Sequence, residues 1–135
     1  MSDTEVTNEE KSGLLKATDY FTYPEIVRNL IKSGEEIINE LTPWQADLWH
    51  CSTGVAGEGG ELLDAVKKHV IYQRPIDRDN VIEELGDLEF YMERVRQLLQ
   101  IERHETLDAN VEKLKIRYPG VQYSNQSAID RADKI

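Results

Sequence analysis

One cysteine in 135 residues, Cys51, has no partner for an internal disulfide and cannot by itself build a thiolate metal centre. Bases are also scarce: 16 lysines and arginines stand against 26 acids, a formal charge of -10. That balance excludes a protein that tracks a phosphate backbone with a basic stripe, so no nucleic-acid polymer is expected as a partner. It also disfavours docking on an anionic membrane surface. No apolar run approaches the ~20 residues of a membrane-spanning helix. The opening residues MSDTEVTNEEK are acidic and polar and carry no signal-peptide pattern, so a cytoplasmic setting is expected. Strand-like alternation of apolar and polar residues is missing throughout.

What is present reads as a folded, soluble chain. It is 39% hydrophobic and 31% charged, and its length suits one compact domain with a sizeable core. Residues 1–22 hold no sustained apolar period and are expected to form a loose arm. Pro24 suits a first helical turn, and Ile26, Leu30 and Ile31 give a short amphipathic helix that weakens at Gly34. Ile37, Ile38 and Leu41 continue its apolar face. Thr42-Pro43-Trp44-Gln45 is a sharper start, with a Thr cap, Pro at the first helical position and Gln45 reaching back to the cap amide. From there Leu48, Val55, Leu62, Val66 and Val70 mark a long helix toward Tyr72, which Arg74-Pro75 ends. Asp77 or Asp79 caps a next helix whose stripe is Val81, Leu85, Leu88, Met92, Val95 and Leu99. Thr106 is expected to cap a last helix, closed by Pro119-Gly120. The tail, 120–135, reads as polar and irregular. The fold class is all-α, a bundle of four to five helices with its main body at 23–119. Its helices carry more apolar face than one thin bundle covers, so a homodimer is expected to complete the core.

Two carboxylate pairs stand out. Glu58-x-x-Glu61 lies on the long helix and Glu84-x-x-Asp87 on the next, and residues three apart share a helix face. At ~100° per residue, Glu58 and Glu61 fall about 40° and 100° from their apolar stripe, and Glu84 and Asp87 about 60° and 120° on the same-handed side of theirs. Asn80 and Tyr91 share that flank. Two adjacent helices could thus gather four carboxylates beside the core. Four like charges repel and raise one another's pKa unless a cation compensates. Oxygen ligands suit a hard divalent ion, Mg²⁺ above all, or Mn²⁺ in its place. The competing reading is ordinary solvated acid on helix surfaces.

Other features point the same way. Gly54, Gly57, Gly59 and Gly60 sit inside the long helical pattern, each costing roughly 1 kcal/mol relative to Ala. Such residues permit close approach of a neighbouring helix or a ligand, or they mark a kink. Asn110, Lys113 and Arg117 share one face of the last helix, where Lys and Arg suit phosphate oxygens and Asn suits a sugar or base. By themselves they fit an ordinary solvated helix face better. Asp47-x-x-His50 is not accompanied by the Glu-x-x-His of ferritin-like di-iron bundles, which excludes that class.

Taken in order, GEGGELLDAVKK, NVIEELGDLEFYMERVRQLL and NVEKLKIRYP resemble the MazG-type nucleotide pyrophosphohydrolases of the all-α NTP pyrophosphatase superfamily. The likeness spans Trp44 to Pro119 and is closest to small stand-alone or phage-like members. It implies a helical dimer or dimer of dimers that splits a nucleoside triphosphate between its α and β phosphates. It further implies Mg²⁺ on Glu58, Glu61, Glu84 and Asp87, with Glu61 and Glu84 as the catalytic acids and Glu61 taking the proton of the attacking water. Asn110, Lys113 and Arg117 would contact sugar and phosphates, and Lys68 would reach phosphate. Trp49 precedes the first acidic pair, where related enzymes build the base pocket; it would stack on a base, or else be a core or interface aromatic. Tyr118 has the same two readings. Phosphoribosyl-ATP pyrophosphohydrolase shares the scaffold and is the enzymatic alternative. A non-catalytic helical interaction module is the alternative of another class, and it predicts no stabilisation by Mg²⁺.

Overall fold

A computed structural model describes residues 20–134. Among them there is no strand, and the fold is all-α. The chain divides into two compact units, one ending at Leu41 and the other spanning Thr42–Ile135. Most of the expected N-terminal arm (1–19) lies outside the described residues.

The first unit carries α1 (Tyr23–Leu30) and α2 (Gly34–Glu40). The Thr22 amide donates to Glu25 Oε2 at 2.7 Å, which holds the start of α1 with Pro24 in its first turn. The break between the helices falls before Gly34, because Ser33 starts a new helix. Its hydroxyl accepts from the Glu36 amide at 3.2 Å, and its own amide donates to Glu36 Oε2 at 3.0 Å. Gly34 therefore opens α2; it is not where α1 decays.

The second unit is built on a hairpin of α3 (Pro43–Val70) and α4 (Arg78–Leu99). The Thr42–Gln45 capping box forms, with reciprocal bonds of 3.2 and 2.9 Å. Helix α3 then runs unbroken through its glycines for 28 residues, about 42 Å at 1.5 Å per residue. It ends at Val70, and Gln73 turns the chain with a φ of 53°. Asp77 caps α4, accepting from the Asn80 amide at 3.1 Å. Trp44 Nε1 donates to the Leu98 carbonyl at 3.1 Å, so the start of α3 lies beside the end of α4 and the pair is antiparallel. The seam carries Leu48, Val55 and Leu62 from one helix and Val81, Leu88 and Met92 from the other, all half-buried. The only described hydrophobic residues that are buried are Cys51 and Ala65, while Leu63 and Phe90 are each 68% exposed. One seam between two helices cannot cover four helix faces.

Helix α5 (Arg103–Arg117) begins three residues before the expected Thr106 cap. Gln100 adopts a left-handed conformation that stops α4, and the Glu102 amide then donates to Glu105 Oε2 at 2.7 Å. That local pair starts the helix without a Ser, Thr, Asp or Asn cap. The tail is also more ordered than its polarity suggests. A 3₁₀ turn at Pro119–Val121, with Gly120 at φ 72°, leads into α6 (Asn125–Asp130) and a second 3₁₀ turn at Ala132–Lys134. Ser124 caps α6 by accepting from the Ser127 amide at 3.0 Å, and the last turn packs back on α5. No helix among the described residues is long and apolar enough to cross a membrane.

Candidate functional site

Glu58 of α3 and Glu84 and Asp87 of α4 meet across the hairpin seam. Each offers a carboxylate oxygen, and these oxygens all lie within 4.8 Å of one another. Glu58 is one turn after half-buried Val55, and Glu84 is one turn after half-buried Val81. Both are therefore held at the seam's edge by the apolar residues that zip the helices together. Both are half-buried, whereas Asp87 is exposed.

Glu61 stands outside this triad. Three residues on from Glu58, it has turned about 60° around the helix and is exposed. Its charge still reaches the group. The Glu84 carboxyl is pushed above the ordinary carboxylate range, first by its loss of water and then by Glu58, Glu61, Glu83 and Asp87 around it. A cluster of this kind opposes its own ionisation, and a divalent cation relieves the opposition.

The donor set fits such an ion. Oxygens on opposite sides of an octahedral Mg²⁺, each ~2.1 Å from it, stand about 4.2 Å apart. A spread of 4.8 Å among three flexible carboxylates is close to that requirement. All donors are oxygens, which suits Mg²⁺ or Mn²⁺ and not a sulfur-seeking metal.

The basic residues are placed differently from one another. Lys68 is engaged with Asp64 at 2.8 Å, and Asp64 also holds Lys67 at 2.9 Å. These two ammonium groups, Lys68 foremost, bring the Asp64 carboxyl down to about 2. On α5, Asn110 and Lys113 are exposed, and Lys113 makes no ion pair among the described residues. Arg117, one turn later, is half-buried and held by Asp133, with Nε to Oδ1 at 2.6 Å and Nη2 to Oδ2 at 2.7 Å. No hydrogen bond or ion pair among the described residues joins Asn110, Lys113 or Arg117 to the acid triad. Tyr118 lies 5.8 Å from the Tyr123 ring, tilted by 35°. Trp49 is 59% exposed.

Sequence reasoning missed two partnerships here. Asp133 as the ligand of Arg117 has no periodic signal, since the pair is 16 residues apart across a turn. A groove of about 390 Å³ on the hairpin was also hidden; Asp47, His50, Cys51, Tyr91 and Arg94 line it. Tyr91 lies one turn after Asp87 and meets His50 edge-on at 6.0 Å.

An all-α hairpin that presents a carboxylate triad at its seam defines a helical protein with a candidate centre for a hard cation. The particular family follows from comparison: the MazG nucleotide pyrophosphohydrolase domain matches residues 50–122, and the chain belongs to that family. Its members are pyrophosphohydrolases and typically depend on a divalent metal. No curated protein and no solved structure matches the chain.

Proposed function

We propose that the protein is a Mg²⁺-dependent nucleoside triphosphate pyrophosphohydrolase acting on the cytoplasmic (deoxy)nucleotide pool. It cleaves between the α and β phosphates, releasing a monophosphate and pyrophosphate. The observation that carries this reading is the triad of Glu58, Glu84 and Asp87, oxygens within 4.8 Å, in a chain of this family.

In this reading Glu58, Glu84 and Asp87 hold Mg²⁺, or Mn²⁺ in its place, and Glu61 joins them when its side chain swings toward the seam. An ion held there would supply charge neutralisation for the triphosphate and would acidify the attacking water. Glu61, exposed and free of the triad, is the carboxylate with capacity left to accept that water's proton. Glu84 sits at the centre of the mutual repulsion, so its ionisation governs whether the site can be filled. Lys113, with no ion pair among the described residues, offers an ammonium to the phosphates, and Asn110 a donor and acceptor to the sugar. Lys68 and Arg117 reach phosphate only after leaving Asp64 and Asp133. Trp49, open on the surface of α3, supplies a face for the base, and Tyr118 borders the phosphate side.

A second copy of the chain completes the core. Only Cys51 and Ala65 are buried among the described hydrophobics, far short of the core a chain of this length can build. A helix-packed homodimer, or a tetramer of two such pairs, would cover the open faces of α3 and α4. Light scattering that returns a monomer mass overturns this part.

The catalytic reading is tested by incubating the protein with a panel of ribo- and deoxynucleoside triphosphates and Mg²⁺ and separating the products. Monophosphate and pyrophosphate are expected. Diphosphate with orthophosphate would overturn the position of cleavage, and no turnover of any triphosphate would overturn the enzyme.

A further inference from the structure

The Arg117–Asp133 pair differs from every other ion pair described in the chain. In the others the carboxylate is exposed or partly exposed, even where the base is as withdrawn as Arg96 at 12%, and several partners are neighbours one turn apart. Here two parallel bonds of 2.6 and 2.7 Å close a planar fork on a carboxylate whose side chain is 1% exposed, with the arginine at 18%. Bidentate geometry of this kind is how a guanidinium takes up two oxygens of a carboxylate or of a phosphate. The aspartate arrives from a separately built device: a left-handed Gly120, the Ser124 cap, the six residues of α6 and a left-handed Arg131 that turns the chain back. Lys113, one turn earlier on the same face, is exposed and carries no described ion pair. One cation of the face is open and the other is occupied from within the chain.

We propose that the C-terminal segment 122–134 is an autoinhibitory latch, in which Asp133 presents to Arg117 the oxygen pair that a substrate phosphate would present. The docked tail and a bound polyphosphate are then alternative partners of one guanidinium. The inference rests on Arg117 being a phosphate contact, as in the function proposed above. While the tail is docked, only the undocked fraction binds polyphosphate with Arg117 engaged, and the apparent Kd is the intrinsic Kd divided by that fraction. The Arg117–Asp133 pair gives the helix and final 3₁₀ turn of this polar segment an ionic fastening to α5, beside the Tyr118–Tyr123 contact. The Asp133 carboxyl is held down at about 2, chiefly by its bonds to Arg117, so it competes as a full anion at neutral pH.

Inorganic tripolyphosphate with Mg²⁺ tests the latch without requiring turnover. Calorimetric titration of the full chain compares wild type, Asp133→Asn and Asp130→Asn. Asp130→Asn removes the same charge three residues away, and among the described residues the Asp130 side chain accepts only from Gln126, at 2.7 Å. The expected result is at least threefold tighter binding for Asp133→Asn and less than twofold for Asp130→Asn. A smaller gain at Asp133, or an equal gain at both, overturns the latch. If Asp133→Asn does not fold, hydrogen exchange on the wild type decides. The amides of Ala128 and Arg131 donate within the docked tail at 3.1 and 3.2 Å. Saturating tripolyphosphate should speed their exchange several-fold; unchanged or slower exchange overturns the proposal. These readings are separable from catalysis. A protein that turns over no triphosphate but shows the Asp133 effect loses the enzyme reading and keeps the latch. One that is active without the effect loses only the latch.

Discussion

Gly54 is the position where α3 and α4 approach most closely among the glycines, and adding one methyl there has a calculable consequence. A Cβ on Gly54 would stand 2.5 Å from both Cγ and Cε1 of Tyr91. Ordinary contact needs at least ~3.5 Å between carbons, so the ring must retreat by about 1 Å or the helices must part. The offending atoms include Cγ, next to the backbone, and not a flexible tip. The ring is also confined by His50 at 6.0 Å and Phe90 at 5.2 Å, both edge-on. Overpacking of this kind costs roughly 1–3 kcal/mol, and the upper half of that range applies to a hemmed-in ring. Against it stands a gain of about 1 kcal/mol for replacing glycine by alanine inside a helix. Gly54→Ala should therefore lose a net ~1–2 kcal/mol in urea unfolding, with the urea slope unchanged. In a Tyr91→Ala background the obstacle is gone. The same Gly54→Ala change should then stabilise by about 1 kcal/mol, a reversal of sign that a double-mutant cycle detects. A Gly54→Ala protein as stable as wild type, or a cycle with no coupling, would refute the argument. Activity should fall as well, because the α3–α4 spacing also sets Glu58 against Glu84 and Asp87.

Other perturbations act on charge. The Glu84 carboxyl is raised in the folded protein, so the metal-free fold holds more protons than the unfolded chain between the ordinary glutamate value and the raised one. Stability of the metal-free protein should fall as pH rises through that window, and thermal melts from pH 4 to 8 measure it. Mg²⁺ at a hundred times its Kd should restore about 2.7 kcal/mol at pH 7.5, while melts indifferent to Mg²⁺ would sink the cation site. Glu84→Gln removes the most opposed charge of the cluster. Turnover should drop at least ~100-fold in a product assay while the metal-free melting temperature stays level or rises, since the substitution relieves repulsion. Asp133 has the opposite sign. Its carboxyl is lowered to about 2 by Arg117, so its contribution is present above the ordinary aspartate pKa and lost as pH falls from about 4 toward 2. An Asp133→Asn variant should lack that part of the acid limb, and a limb identical to wild type would show that the pair does not stabilise the fold.

The sequence made the hairpin legible because its start signals are local. Thr42 with Gln45, and Asp77 with the Asn80 amide, each need only three residues to form, and both are present. The seam residues repeat at helical spacing, so the face on which Glu58, Glu84 and Asp87 meet could be computed from residue number alone. Glu61, exposed and turned about 60° from Glu58, lies outside that group of three, although its charge still acts on Glu84. The start of α5 was misplaced because a Glu–Glu pair, Glu102 with Glu105, formed the box that Thr106 was expected to provide. The glycines were read as one block, yet only Gly54 faces a neighbour; Gly57, Gly59 and Gly60 have nothing within 4 Å. Which of four glycines is crowded depends on the partner helix, and a single strand of sequence does not encode the partner. The tail was missed for the same reason. Its fastening point, Asp133 on Arg117, is a tertiary contact with no period to betray it.

These two kinds of contact have opposite electrostatic character, and their separation in the chain has a functional logic. The triad concentrates like charge at the edge of a thin seam, a place where water and a cation can still enter, and the fold tolerates its repulsion because only Glu58 and Glu84 are partly withdrawn from solvent. Arg117 and Asp133 do the reverse: opposite charges are joined and almost removed from water. A buried pair contributes little net stability beyond what an apolar pair would give, because desolvation offsets its attraction. Its value lies in what can exchange with it. In the function proposed here, a triphosphate bound with Mg²⁺ would neutralise the triad and offer Arg117 a replacement for Asp133. On that reading one ligand would relieve both the self-repelling triad and the internally satisfied Arg117. That ligand must be both anionic and metal-bound, and inorganic tripolyphosphate without Mg²⁺ should therefore release the tail less readily than the same anion with it.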